Sequence, residues 1–113
     1  MGYRSDVNIA LLKEDYLDLY AKSAALGIYN LLDKDKMSDY EEFSYDEKDW
    51  VMVEYTYIKW YSDYPEIKVI EEFLNTHPHQ LVRLGEDTDD IEYENTTEYH
   101  DFFMIHRYAE LSV

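Results

Sequence analysis

Cysteine is absent from this 113-residue chain. That excludes disulfides, zinc-thiolate sites and thiol catalysis together, and it suits a reducing compartment. Three glycines and two prolines leave little material for a long flexible linker. No apolar run approaches the roughly 20 residues of a membrane helix. The N-terminus, with one arginine and a short apolar run, lacks the pattern of a signal peptide. A soluble intracellular protein is the expectation. Catalytic signatures are missing too: there is no P-loop, dinucleotide fingerprint or nucleophile elbow. Paired carboxylates carry no specificity in a chain with 26 acids, and Ser5-Asp6 with scattered histidines gives no triad spacing. We expect no enzyme and no cofactor.

Bases are also scarce. Ten Lys and Arg stand against 26 Asp and Glu, a net charge of −16. Such a surface repels nucleic acid, anionic lipid and acidic substrates, and attracts basic partners at long range. Solubility or adaptation to high salt are the commoner reasons for an acidic chain. Thirteen tyrosines and two tryptophans make this one more aromatic than charge-driven solvation requires.

What is present is enough for a core: 46% of residues are hydrophobic and 17% aromatic. At this length one domain, residues 1–113, buries roughly two-thirds of the unfolded chain's surface. Trp50 to Trp60 holds both tryptophans, three β-branched aliphatics and no Gly or Pro, the composition of a long strand. Alternation puts Trp50, Met52, Glu54, Thr56, Ile58 and Trp60 on one face. We read it as a central strand, covered by helices on one face and partly wet on the other, with both tryptophans beneath a helix carrying Ile67, Ile70 and Phe73.

In chain order, Ser5 to Leu12 reads as a strand. Lys13-Glu14-Asp15 opens a helix, acids in its first turn, whose stripe of Leu17, Tyr20, Ala21, Ala24, Ala25, Ile28, Leu31 and Leu32 keeps period to about Leu32. Gly27 is the alternative C-cap. Asp33 to Asp49 is either a loop or a short strand ending in a turn at Asp46-Glu47-Lys48. Ser62 or Asp63 as N-cap, with Pro65 in the first turn, starts a second helix that ends near Asn75 to His77. Gln80 to Leu84, Ile91 to Glu94 and Tyr99 to Tyr108 read as strands, Ile91 and Tyr93 facing inward. The order β-α-(β)-β-α-β-β-β describes an α+β domain, with two helices on one face of a four- to six-stranded mixed or antiparallel sheet.

Metal chemistry finds no constellation. His77-Pro78-His79 lacks the i,i+4 spacing of a helical ligand pair. His100 and His106 would sit about 20 Å apart along one strand. Asp87 and Asp89 superficially resemble a calcium loop, but the Gly at its sixth position and the Glu at its twelfth are missing. Direct nucleic-acid binding lacks its basic cluster, since Arg4, Arg83 and Arg107 are isolated.

The remaining pattern is acid interleaved with aromatics. Asp39 to Glu47, Ile91 to Glu94 and Glu98 to Asp101 are examples. Residues 36–66 carry nine acids against three bases, and 86–113 nine against one, while 67–85 balance at two and two. The two acidic blocks would meet on one surface if the final strands lie near the central one. Carboxylates at strand spacing imitate a phosphate row, and aromatics anchor interfaces. The candidate partner-binding residues are Glu86, Asp87, Asp89, Asp90, Glu92, Tyr93 and Glu94, with Glu41, Glu42, Asp46 and Glu47 in the other block.

The opening Met1-Gly2-Tyr3-Arg4-Ser5-Asp6-Val7, with the acidic, Tyr-rich body around Asp49-Trp50 to Trp60 and Tyr64-Pro65-Glu66, resembles small, largely uncharacterised proteins of bacteriophages and prophages. The resemblance implies a viral origin and the cytoplasm of a bacterial host. By analogy with other small acidic phage proteins, it implies an inhibitor of the anti-CRISPR or anti-restriction type. The expected partner is a basic, nucleic-acid-handling host protein of the defence machinery, with neither nucleic acid nor membrane bound directly. Oligomeric state is left open, a homodimer included. The alternatives are an accessory phage protein with an unrecognised catalytic or ligand cleft, and a self-assembling structural protein.

Overall fold

A computed structural model describes residues 2–105 and 109–112. Strand β1 (Ser5–Leu12) runs without a linker into helix α1 (Lys13–Ala25), and a short 3-10 turn (Lys34–Lys36) leads to β2 (Asp39–Tyr45) and β3 (Lys48–Ile58). Helix α2 (Pro65–Leu74), β4 (His79–Gly85) and β5 (Ile91–Asn95) follow. The chain closes with β6 (Phe103–Ile105) and β7 (Ala109–Leu111). Five strands form one antiparallel sheet in the order β2-β3-β1-β4-β5, and β6 pairs with β7 separately. This is the expected α+β class with both helices on one face. Among the described residues no helix is long and apolar enough to cross a membrane.

The sheet has two cores. On the helical face Val7, Ile9, Leu11, Val51, Val53 and Tyr55 pack against Tyr16 and Leu19 of α1 and Ile67, Ile70 and Phe73 of α2. On the other face Ala10, Trp50, Met52 and Val82 pack beneath Phe102 and Phe103. Phe102 meets Trp50, Phe43 and Tyr45 edge-on, with ring centroids 5.1 to 5.7 Å apart. The central strand is therefore β1, not the tryptophan-rich β3, which lies between β1 and the edge strand β2.

Both tryptophans are buried, but on opposite faces: Trp50 under the C-terminal segment and Trp60 under the helices. The reason is one extra residue. Ser5 pairs with Ile58 and Val7 with Tyr55, so Asp6 alone faces Thr56 and Tyr57. A bulge of this kind shifts every later side chain to the other face. Tyr57 takes φ 57° there, a left-handed conformation that costs a non-glycine residue about 1–3 kcal/mol. The Asp6 carboxylate holds it by accepting the Tyr57 N–H at 2.8 Å.

Helix α1 also departs from expectation. It ends at Ala25, and Gly27 follows with φ 67°, its N–H on the Ala24 carbonyl at 3.1 Å. That is the left-handed C′ position glycine favours. The inward residues are Asp15, Tyr16, Leu19 and Ser23, while Leu17, Tyr20, Ala21, Ala24 and Ala25 face solvent. The direct β1–α1 junction sets the rotation of the helix, and apolar count does not. Leu31 and Leu32 are buried as a loop, their carbonyls accepting the hydroxyls of Tyr55 and Tyr16 at 2.6 Å each.

Of the segment Asp33 to Asp49, left open between loop and strand, Lys34–Lys36 is a 3-10 turn and the part from Asp39 is a hairpin with the start of β3. Tyr45 pairs with Lys48 around Asp46 (φ 53°) and Glu47 (φ 61°), a two-residue turn with both φ positive. Helix α2 starts one or two residues later than expected, with Tyr64 in place of Ser62 or Asp63 at the N-cap and Pro65 opening the first turn. Ile91 shares the face of Tyr93 but lies uncovered at the start of β5, 48% exposed. Of the strand expected over Tyr99 to Tyr108, residues 99–102 are loop and Phe103–Ile105 form β6, while His106, Arg107 and Tyr108 lie outside the described residues.

Trp50→Ala and Trp60→Ala should each cost about 3–5 kcal/mol in urea unfolding. Hydrogen exchange separates the two faces: Trp50→Ala should deprotect the segment carrying Phe102 and Phe103, and Trp60→Ala should deprotect α2. The same exchange pattern in both variants would contradict the two-core arrangement.

Candidate functional site

The two acidic blocks are not neighbours along the sheet. Strand β2 is one edge and β5 the other, four strand spacings or about 19 Å apart. What joins them is the loop after β5, which folds back across the non-helical face. Its anchor is Gln80, whose side chain is fully buried in β4. The Gln80 amide donates to Thr97 Oγ1 at 3.1 Å and to the His100 carbonyl at 3.0 Å. Its carbonyl accepts the Tyr93 hydroxyl at 3.1 Å and the Phe102 N–H at 2.6 Å. Every hydrogen-bonding capacity of that amide is used.

The loop then meets the β2–β3 turn. The Tyr99 hydroxyl donates to Asp46 Oδ2 at 2.6 Å and accepts from Lys48 Nζ at 3.2 Å. Tyr45 lies 3.2 Å from His100 Nδ1 and edge-on to the Tyr99 ring. Asp46, Glu47, Glu98 and Asp101, close to these aromatics in the chain, are exposed, as is Glu41 farther along β2. Glu41 and Glu42, adjacent in sequence, point to opposite faces. Glu41 pairs with Met52 on the non-helical side, and Glu42 turns to the helices, accepting Lys13 Nζ at 2.9 Å and the Tyr40 hydroxyl at 2.9 Å. Those two donors hold its carboxyl below the usual range.

The other block is largely neutralised from within. Arg83 grips Asp90 with both terminal nitrogens, at 2.9 and 3.2 Å, and reaches Glu92 through Nε at 3.0 Å. The Tyr3 hydroxyl donates to Asp90 Oδ2 at 2.5 Å. A Cβ at Gly85 would collide with both Asp90 and Tyr3, so glycine is what lets this knot close. The Arg83 guanidinium, then Tyr3, pull the Asp90 carboxyl below its ordinary value. Glu94 lies against His79 Nε2, and Glu86 accepts the Arg4 N–H at 3.0 Å. Tyr93 is no free anchor: its hydroxyl bonds Gln80 and accepts the Phe103 N–H at 3.4 Å. Only Asp87 and Asp89 of this block, both exposed, carry carboxylates with no partner among the described residues. Spacing could not show this, because the neutralising Arg83 sits on a neighbouring strand.

Comparison with known protein families, curated proteins and solved structures gives no match. The arrangement must therefore speak for itself. His79 has its other ring nitrogen 2.8 Å from the His77 carbonyl, and His77 stacks on Phe73 at 3.7 Å, so both rings are committed to structure. Among the described residues no group of three metal-ligating side chains converges. The acid-aromatic surface around Tyr45 and Tyr99 is suited to contact: the rings are held in place, Asp46 and Asp101 accept hydrogen bonds from Tyr99 and Asn95, and Glu47 and Glu98 are exposed.

Asp90→Asn tests the Arg83 knot. A depressed folded value means that the stabilisation is present above the unfolded carboxylate value of about 3.9 and lost as pH falls through the folded value. The variant should melt below the wild type at pH 7, and the two melting curves should converge below about pH 3. A gap that persists at pH 2 would assign the loss to packing rather than charge.

Proposed function

We propose that this protein binds a basic surface on a nucleic-acid-handling partner and blocks it by presenting carboxylates in place of phosphates. The observation that carries this reading is the surface where Asp46 bonds the hydroxyl of Tyr99 and Tyr99 packs edge-on to Tyr45, with Glu47, Glu98 and Asp101 exposed beside them in the chain and Glu41 exposed farther along β2. Fixed aromatics offer contact area at little entropic cost, and rim carboxylates steer a basic partner into register. The phage-like opening of the sequence supports a bacterial host protein as the target, with inhibition of a defence component as the role. Asp87 and Asp89 extend the negative field from the opposite edge. Self-assembly through the open edge of β2 is opposed by its own Asp39, Glu41 and Glu42, because like charges would face each other.

The experiment is capture from bacterial lysate at low salt, read by mass spectrometry, with a Glu41→Lys, Glu47→Lys, Glu98→Lys triple variant alongside. These three exposed carboxylates make no hydrogen bond or close ion pair among the described residues, so the circular dichroism spectrum should be unchanged. The wild type should enrich nucleic-acid-handling proteins that excess duplex DNA or RNA displaces, and the triple variant should lose them. Equal enrichment by both would sink the proposal. Single exposed charges contribute about 1 kcal/mol or less, so single reversals should weaken capture only slightly.

Ionic strength gives a second readout. With the captured protein purified, association should slow steeply between about 50 and 500 mM salt as the screening length shrinks. A flat salt response would assign the contact to apolar area instead of charge.

A further inference from the structure

A cavity lies apart from the acid-aromatic surface, where the β3 bulge meets the loop after α1 and the start of α2. It has a volume of about 600 Å³, within the range of small-molecule sites. Its lining inverts the charge of the chain. Arg4, Lys36 and Lys59 face it against a single acid, Glu66. None of the three cations forms an ion pair with a carboxylate among the described residues. In a chain with 26 acids and ten bases, three unpaired cations at one cavity is not what indifferent placement gives.

The cations stand over aromatic rings. The Arg4 guanidinium lies 5.0 Å from the Tyr57 ring centroid and donates to the Tyr57 carbonyl at 3.3 Å. Lys36 Nζ lies 5.4 Å from the centroid of Tyr29. Both rings are more than half exposed, although they border a cavity floored by the buried Leu31, Tyr55 and Ile67. The left-handed backbone at Tyr57 is what turns that ring to the cavity, and bulges that re-aim a side chain cluster at binding sites.

We propose that this cavity binds a small planar ligand carrying phosphate charge, of the nucleoside phosphate class. Two exposed rings supply stacking for a base. A guanidinium with free donors and two ammonium groups supply the fork and point charges that phosphate oxygens take. A polymer is disfavoured by the rest of the molecule. The net −16 repels an extended polyanion along its whole length, whereas a single small anion feels mainly the cations within a screening length of about 8–10 Å. This site is independent of the acid-aromatic surface, and either reading stands if the other fails.

Calorimetry on the full chain decides it, with adenosine monophosphate, adenosine, inorganic phosphate and a 5′-phosphorylated oligothymidylate as probes. Adenosine monophosphate should bind saturably at or below about 1 mM, and adenosine and inorganic phosphate at least about tenfold more weakly. Arg4→Ala and Lys36→Ala should each weaken binding about tenfold, while Lys22→Ala, an exposed cation on α1, should leave it unchanged. Tyr57→Gly should abolish binding while keeping or raising the melting temperature, because glycine accepts the left-handed backbone without strain. The proposal is overturned by any of three results: no saturable binding of the nucleotide, Arg4→Ala and Lys36→Ala variants that bind as the wild type does, or a tighter fit for inorganic phosphate or the oligonucleotide.

Discussion

The buried amide of Gln80 is the constraint on which the non-helical half of the molecule depends. Strand β4 would otherwise present Gln80 and Val82 to solvent, and Trp50 and Met52 on β3 would have no cover. Four hydrogen bonds from one side chain draw Tyr93, Thr97, His100 and Phe102 to a single point. That places the Phe102 ring over Trp50. A buried amide left unsatisfied costs about 1–3 kcal/mol per group, so the network holds as a whole or is lost as a whole. The position of Tyr99 beside Asp46 follows from it, and so does the acid-aromatic surface.

Much of the fold was legible because hydrophobic period is a local signal. Strands β1 and β3, helix α2 with Pro65 in its first turn, and the Asp46-Glu47 turn are written in consecutive residues. What was not legible depends on single residues acting at a distance. The bulge at Thr56-Tyr57 moves Trp60 to the helical face, and nothing in Trp50 to Trp60 marks it, since glycine usually signals such a position and tyrosine does not. The face of α1 is set by the strand before it. A stripe of Leu17, Tyr20 and three alanines keeps perfect period and still faces water.

The candidate site divides the same way. Acidic density along the chain singles out Glu86 to Glu94, yet Arg83 and His79 engage Asp90, Glu92 and Glu94 from β4. Cross-strand pairing thus turns the densest acidic stretch into a structural knot that ties the N-terminal Tyr3 and the β4–β5 turn together. The less dense stretch around Asp46 stays charged because its neighbours are tyrosines and one lysine. Sequence density of charge and free charge on the surface are different quantities, and only the second can act on a partner.

The distribution of the bases completes the electrostatic argument. Arg83 and Lys13 are consumed by carboxylates, while Arg4, Lys36 and Lys59 are left at the cavity beside Tyr57. A strongly negative molecule that keeps one unneutralised positive pocket filters ligands by size. Charge on an approaching polymer is summed over many screening lengths and meets the acidic exterior first. Charge on a small anion is felt only locally, where the cations and aromatic rings dominate. The left-handed Tyr57 gives this weight, because about 1–3 kcal/mol of backbone strain is held there by Asp6 and Arg4 for a ring that packs against no core. The same bulge carries Trp60 into the helical core and leaves the Tyr57 ring exposed beside Arg4, so one backbone feature serves the packing and the cavity together.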